Sequence, residues 1–159
     1  MRKLLVVLGF LALIFTATKA QKMEEIDGLF YKNSEKFTGT HITFYTGNSV
    51  KSEVQIKNGE KHGQTHIYFE NGQVNEIRSY KHNLMHGKWV MYNEHGMKVS
   101  EARYNNGKKH GKWSIWNDDG NLLYELEYSN GEKSGVWKKY NEKGELINER
   151  KYQNTCHCH

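Results

Sequence analysis

Proline is absent from the 159 residues, and cysteine is confined to Cys156 and Cys158. Thiols crowded into the last four residues cannot staple a fold, so stability must come from elsewhere. Aliphatic side chains are scarce as well. The hydrophobic fraction of 36% is inflated by the first 20 residues, and much of what remains is Phe, Trp and Tyr. A thick α/β core is therefore excluded. Long helices are excluded too, because 14 of the 15 glycines fall after residue 20 and interrupt every stretch there, and helix interiors tolerate glycine poorly. The one long apolar run, Leu4 to Phe15, is too short to cross a hydrocarbon layer of about 30 Å as a helix.

That run belongs to an export signal. Arg2-Lys3 provides a basic start, 12 apolar residues follow, and Thr18 and Ala20 place small residues at the third-last and last positions. Cleavage is expected after Ala20, leaving Gln21 as the mature N-terminus of a periplasmic or extracellular protein. The residue directly after that point is Gln21 and not Cys, which argues against a lipoprotein. With Arg2, Lys3 and Lys19 gone, the net charge falls from +5 to +2. Such a balance offers no basic face for nucleic acid and little pull toward an anionic membrane surface. The expected organisation is a signal peptide (1–20), an N-terminal cap (21–31), a repeat domain (32–152) and a short tail (153–159).

What the chain has in abundance is periodicity. Gly39, Gly63, Gly87, Gly111 and Gly135 stand 24 residues apart. Five positions after each lies an aromatic: Phe44, Tyr68, Tyr92, Trp116 and Tyr140. Two positions after the glycines come His41, Thr65, Trp89, Trp113 and Trp137. Further columns run Gly72, Gly96, Gly120, Gly144, then Gly59, Asn83, Gly107, Gly131, then Ile56, Tyr80, Tyr104, Tyr128, Tyr152. In the fourth unit Asn106-Gly107 and Asp118-Asp119-Gly120 mark turns, since such residues accept positive φ. Leu122, Tyr124, Leu126 and Tyr128 alternate with Leu123, Glu125 and Glu127, a period of two that spells a strand. The dipeptides Asn58-Gly59, Asn71-Gly72 and Asn130-Gly131 repeat the turn chemistry. The three-residue interval from Trp113 to Trp116 predicts a bend or bulge. The fold class is thus all-β: an elongated antiparallel sheet of stacked β-hairpins with a 24-residue period and five units. It should hold ten or eleven strands and extend roughly 50 Å at about 4.8 Å per strand.

Gly111-Lys112-Trp113-Ser114-Ile115-Trp116, followed by Asn117-Asp118-Asp119-Gly120-Asn121-Leu122, resembles the MORN-variant repeat, the bacterial relative of the membrane occupation and recognition nexus repeat. Lys61-His62-Gly63, Lys109-His110-Gly111 and Gly135-Val136-Trp137-Lys138-Lys139-Tyr140 fit the same pattern. The resemblance covers roughly 30–152. It implies stacked hairpins in an extended sheet that works by contact rather than catalysis. Many bacterial members are known as antitoxins of toxin–antitoxin systems, so it further implies an antitoxin- or immunity-like role. The first unit departs from the pattern: it lacks the Trp, and Ser34-Glu35 stands where the Asn-Gly turn would be, as in a degenerate end repeat.

Three groups of side chains are candidates for chemistry. His62, His86 and His110 form a column, but one repeat advances two strands, roughly 10 Å, too far for rungs to share a zinc ion bound at about 2.1 Å. Cys156, His157, Cys158 and His159 supply four soft or borderline ligands, against the plainer reading of an unstructured tail or a disulfide. Trp89, Trp113 and Trp137, with Tyr92, Trp116 and Tyr140, offer either a stacking face or simply the core of a thin sheet. Along the second strands Glu76, Arg78, Glu101, Arg103, Glu125, Glu127, Glu149 and Lys151 form a charged row for contact with a partner, or a solvated face. No nucleophile–base pair, phosphate loop or carboxylate pair stands out. The expectation is a non-enzyme without cofactor that binds a polypeptide. A cell-wall or glycan-binding module built on the aromatic rows is the alternative.

Overall fold

Every regular element among the described residues, 22–153, of this computed structural model is a β-strand. The expected signal peptide and the Cys156–His159 tail lie outside those residues. The strands are β1 (Met23–Ile26), β2 (Leu29–Lys32), β3 (Glu35–Lys36), β4 (Gly39–Phe44), β5 (Val50–Lys57), β6 (Glu60–Tyr68) and β7 (Val74–Lys81). They continue as β8 (Leu84–Tyr92), β9 (Lys98–Asn105), β10 (Lys108–Lys109), β11 (Gly111–Trp116), β12 (Leu122–Ser129), β13 (Glu132–Tyr140) and β14 (Leu146–Tyr152). The first three make a small antiparallel sheet. The other eleven make one long antiparallel sheet, ordered β14-β13-β12-β11-β9-β8-β7-β6-β5-β4 with β10 on β9. Spatial order follows chain order throughout, as stacked hairpins require. Each repeat supplies a first strand (β4, β6, β8, β11 or β13) and a second strand (β5, β7, β9, β12 or β14).

Two kinds of turn alternate along the sheet. Between repeats, Asn58-Gly59, His82-Asn83, Asn106-Gly107 and Asn130-Gly131 have positive φ at both positions, the two-residue turn that matches strand twist. These turns also bond to one another's neighbourhood. The amides of Asn83, Gly107 and Gly131 donate to the carbonyls of Lys61, Met85 and Lys109 at 2.8–3.0 Å, each 22 residues earlier. Within repeats the loop is different, so Asn71-Gly72 does not repeat the chemistry of Asn58-Gly59: only Gly72 of that pair has positive φ. These loops are organised by a side chain instead. The Oδ1 atoms of Asn93, Asn117 and Asn141 each accept two backbone N–H groups, those of His95 and Met97, Asp119 and Asn121, Lys143 and Glu145.

The recurring strand glycines face tyrosines. Gly63, Gly87, Gly111 and Gly135 lie directly opposite Tyr80, Tyr104, Tyr128 and Tyr152 across the hairpin. On their other side the ladder shifts register beside Gly63, Gly87 and Gly135. The expected irregularity near Trp116 is present as a register shift between Ile115 and Trp116.

The small sheet sits along the turn end of the first repeats. Phe30, only 5% exposed, donates its backbone N–H to the Gly59 carbonyl at 2.8 Å, and Asn83 Nδ2 donates to the Gly28 carbonyl at 3.1 Å. Its second turn falls at Asn33-Ser34, both with positive φ, one residue before the expected Ser34-Glu35. Two left-handed residues suffice for the turn, and Asn accepts that conformation better than Glu. The two sheets part between β3 and β4. No second layer covers the long sheet: among the described residues no side chain is less than 2% exposed, and the buried set is small (Phe30, Ile56, Thr65, Val90, Ala102, Ser134).

Candidate functional site: two faces of one sheet

Register decides which side chains share a face, because cross-strand partners point the same way and neighbours along a strand point oppositely. Arg78 is opposite Thr65 and Trp89, Trp89 is opposite Ala102, and Trp113 is opposite Leu126. The tyrosines 80, 104, 128 and 152 sit two positions further along the second strands, on this same face. The result is an unbroken ladder of six rings. Trp89, Tyr104, Trp113, Tyr128, Trp137 and Tyr152 follow one another with centroids 4.9–5.6 Å apart and tilts of 35–58°. Offset and tilted pairs of this kind suit the ring quadrupoles. The indole nitrogens are anchored too: Trp113 Nε1 donates to the Arg103 carbonyl at 3.0 Å and Trp137 Nε1 to the Glu127 carbonyl at 2.8 Å.

Cations line the ladder. Lys109 Nζ lies 4.6 Å from the Trp113 centroid and 4.9 Å from Tyr128, while Lys133 Nζ lies 4.5 Å from Trp137 and 5.3 Å from Tyr152. Arg78 stacks on Trp89 at 4.8 Å, Arg150 on Tyr152 at 5.1 Å, Lys139 reaches Tyr124 at 5.8 Å and Lys61 reaches Phe30 at 5.6 Å. Each is within the range of a cation–π contact. Glu76 is the carboxylate among them. Its Oε2 accepts from Arg78 Nε at 2.6 Å and from Trp89 Nε1 at 2.9 Å. Burial works against the Arg78 charge, but the bonds to Glu76 and Tyr80 outweigh it and raise the guanidinium pKa further.

This arrangement corrects the single charged row expected from the second strands. Glu76 and Arg78 belong to the ladder face, whereas Glu101, Arg103, Glu125, Glu127 and Glu149 lie on the opposite one. Glu76 and Glu101 are 25 residues apart, one more than the period, and that odd step reverses the direction of the side chain. The aromatic grouping divides as well. Trp89, Trp113 and Trp137 are on the ladder face, while Tyr68 and Tyr140 bond Glu53 and Glu125 on the other, at 3.1 and 2.6 Å. The rings that join the tryptophans are the tyrosine column that opposes the strand glycines.

The opposite face carries carboxylates tied to lysines and phenols. Glu101 meets Lys88 at 3.2 Å and Lys98 at 3.1 Å. Burial pushes its carboxyl up, yet the bonds from the two lysines more than compensate and leave it below the ordinary value. Lys98 also lies 4.5 Å from the Trp116 ring. An open groove of about 410 Å³ runs here between Lys98, Glu101, Arg103, Lys112, Ser114 and Trp116. Of the histidine column, His62 packs edge-on against His82 at 5.2 Å, and the His86 Nδ1 accepts from the Asn106 amide at 3.4 Å. Among the described residues no three His, Cys, Asp or Glu side chains gather where a metal ion would sit, and the Cys156–His159 set lies outside them.

No curated protein sequence matches the chain. The family model described as the MORN repeat variant matches four times, at residues 61–82, 85–106, 109–130 and 133–154. Three matches begin in a first strand and the third begins in β10, just ahead of β11; each ends just past a second strand, so β4 and β5 form a fifth hairpin ahead of the four. Repeats of this type commonly serve as modules that bind proteins or membranes. With more than half of its length matched in the register that its own glycines mark out, the chain belongs to the MORN repeat variant family.

Proposed function

We propose that this is an exported, non-catalytic binding protein whose ladder face receives an acidic polypeptide. The observation that carries the proposal is the line of six stacked rings with Arg78, Lys109, Lys133 and Arg150 above them and Glu76 as the acid among them. Rigid aromatic surface beside cations is the composition of interface hot spots. The lysines keep donors for partner carboxylates while their charge rests on the rings. Neutralisation of a toxin, by covering an acidic surface, is the sharper form that fits the family. A glycan site on the same tryptophans is less well supported. A sugar stacks on a free ring face, and Trp113 already has Tyr104 on one side and Tyr128 on the other.

The test is a pull-down from envelope extract with wild type, a Lys109→Gln/Lys133→Gln variant and a Glu125→Gln variant. One polypeptide should be recovered in near-stoichiometric amount by wild type and Glu125→Gln, and at least tenfold less by the double variant. Recovery only with insoluble wall material, or equal binding to anionic lipid vesicles in place of a protein, would overturn the reading.

A further inference from the structure

The long sheet ends in two unpaired edges. Among the described residues β4 has β5 as its only strand partner, and β14 has only β13. Such edges normally carry lysine, proline or a bulge that discourages pairing. The β4 sequence Gly-Thr-His-Ile-Thr-Phe has no Lys, Arg, Asp, Glu or Pro. The N-terminal sheet reaches β4 only at its start, where the Phe30 ring lies 5.8 Å from His41; otherwise it leans on the turns at Gly59 and Asn83. β14 carries Glu149, Arg150 and Lys151 toward its C-terminal end, but its first two residues are apolar, as are two of β4. Phe44 is 57% exposed, Ile147 54%, Leu146 50% and Ile42 42%, four of the seven large apolar side chains that stand out among the described residues. In the inner repeats the equivalents of Phe44, which are Tyr68, Tyr92, Trp116 and Tyr140, are half-buried, and Val90, the equivalent of Ile42, is buried.

The chain shows four times over how one repeat joins the next. A second strand pairs on its outer side with a first strand: Ser52 opposite Ile67, Glu76 opposite Met91, Ser100 opposite Ile115, Tyr124 opposite Lys139. Among the described residues β14 is a second strand with no first strand beyond it, and β4 is a first strand with no second strand before it. Carrying the same register across two molecules sets Asn148 opposite Thr43, and one step further it sets Ile147 opposite Phe44. That last pair lies one step past the final pair that each repeat junction makes; it brings Ile147 and Phe44 to the same end of the join, while Ile42 stands opposite Glu149.

We propose that the protein assembles head to tail with further copies of itself, β14 of one molecule pairing antiparallel with β4 of the next. The contact is heterologous, so it leaves one free edge of each kind and extends without closing. The two faces keep their identity through the join.

Sedimentation of the purified protein over a concentration series tests this. The weight-average mass of wild type should climb past twice the monomer mass. Phe44→Lys and Ile147→Lys, each at an exposed edge position and each checked for an unchanged circular dichroism spectrum, should stay at the monomer mass when alone. Each retains one intact edge, so an equimolar mixture should form a dimer and stop there. A wild type that stays monomeric throughout would overturn the proposal. So would a mixture that fails to associate, or a Phe44→Lys protein that still dimerises alone through β14 against β14.

Discussion

Gly135 shows how much a single position can decide. Its φ of 61° lies in the left-handed region, and a Cβ placed there would run into the Glu127 side chain. Gly111 has the same kind of φ, at 71°, but open contact with Arg103 at 3.6 Å. Gly111→Ala should therefore cost about 1–2 kcal/mol for the backbone alone, and Gly135→Ala more, with part of the excess recovered in Gly135→Ala/Glu127→Ala. Denaturant midpoints of the three variants would show the order. Glu101 makes a second prediction at this scale. Its folded pKa is depressed below 4.5 by Lys98 and Lys88 against the upward push of burial, so its contribution is present above the unfolded pKa and lost as pH falls through the folded one. Glu101→Gln should flatten the loss of stability on acidification below about pH 4.5, as followed by thermal melts across that range. Charge type was legible from the sequence at Glu76 and Arg78, but facing was not. Facing depends on parity along the strand, and the 25-residue step from Glu76 to Glu101, odd against a period of 24, is not revealed by a list of charged residues.

Among the elements, the ladder ties neighbouring hairpins together. Trp113, held between Tyr104 and Tyr128 and under Lys109, is half-buried. Trp113→Ala should destabilise by roughly 2–4 kcal/mol, somewhat less than the loss of a fully buried Trp. Loss of glycan binding without that destabilisation would instead favour the alternative function. Burial raises the phenol pKa of Tyr104 and Tyr128 above 10.0. A group whose folded pKa is raised stabilises fully below the unfolded value and ceases to do so as pH rises through the folded one. Unfolding should accordingly set in above pH 10, with phenolate absorbance appearing together with loss of structure rather than before it. The strands of the long sheet, the period and the turns at Asn58-Gly59, Asn106-Gly107 and Asn130-Gly131 were readable from the sequence, because local turn chemistry and alternation dictate them, whereas Asn71-Gly72 looked the same and is not. The Asn93, Asn117 and Asn141 column was equally present at 24-residue spacing, yet its role emerges only when each side chain is seen accepting two amides. The pairing of tryptophans with the tyrosine column likewise needed the strand register, since the two columns belong to different strands.

At the scale of the whole molecule, each repeat touches only its neighbours, so stability should be distributed in a graded way. Six of the seven residues of β14 are exposed, whereas every residue of β12 is half-buried. Hydrogen exchange should therefore be fastest in β14 and slowest in the middle strands, and a profile uniform along the sheet would contradict the repeat-wise picture. The same geometry has a mechanical consequence. The rungs of hydrogen bonds lie along the long axis of the sheet, with β4 at one end and β14 at the other. A force applied to those two ends loads the rungs one after another, as in opening a zipper, and never shears a whole interface at once. Extension should proceed at low force in nearly equal steps, each releasing a 24-residue unit of about 80 Å of chain, so that under tension the protein yields as a ratchet of five similar catches.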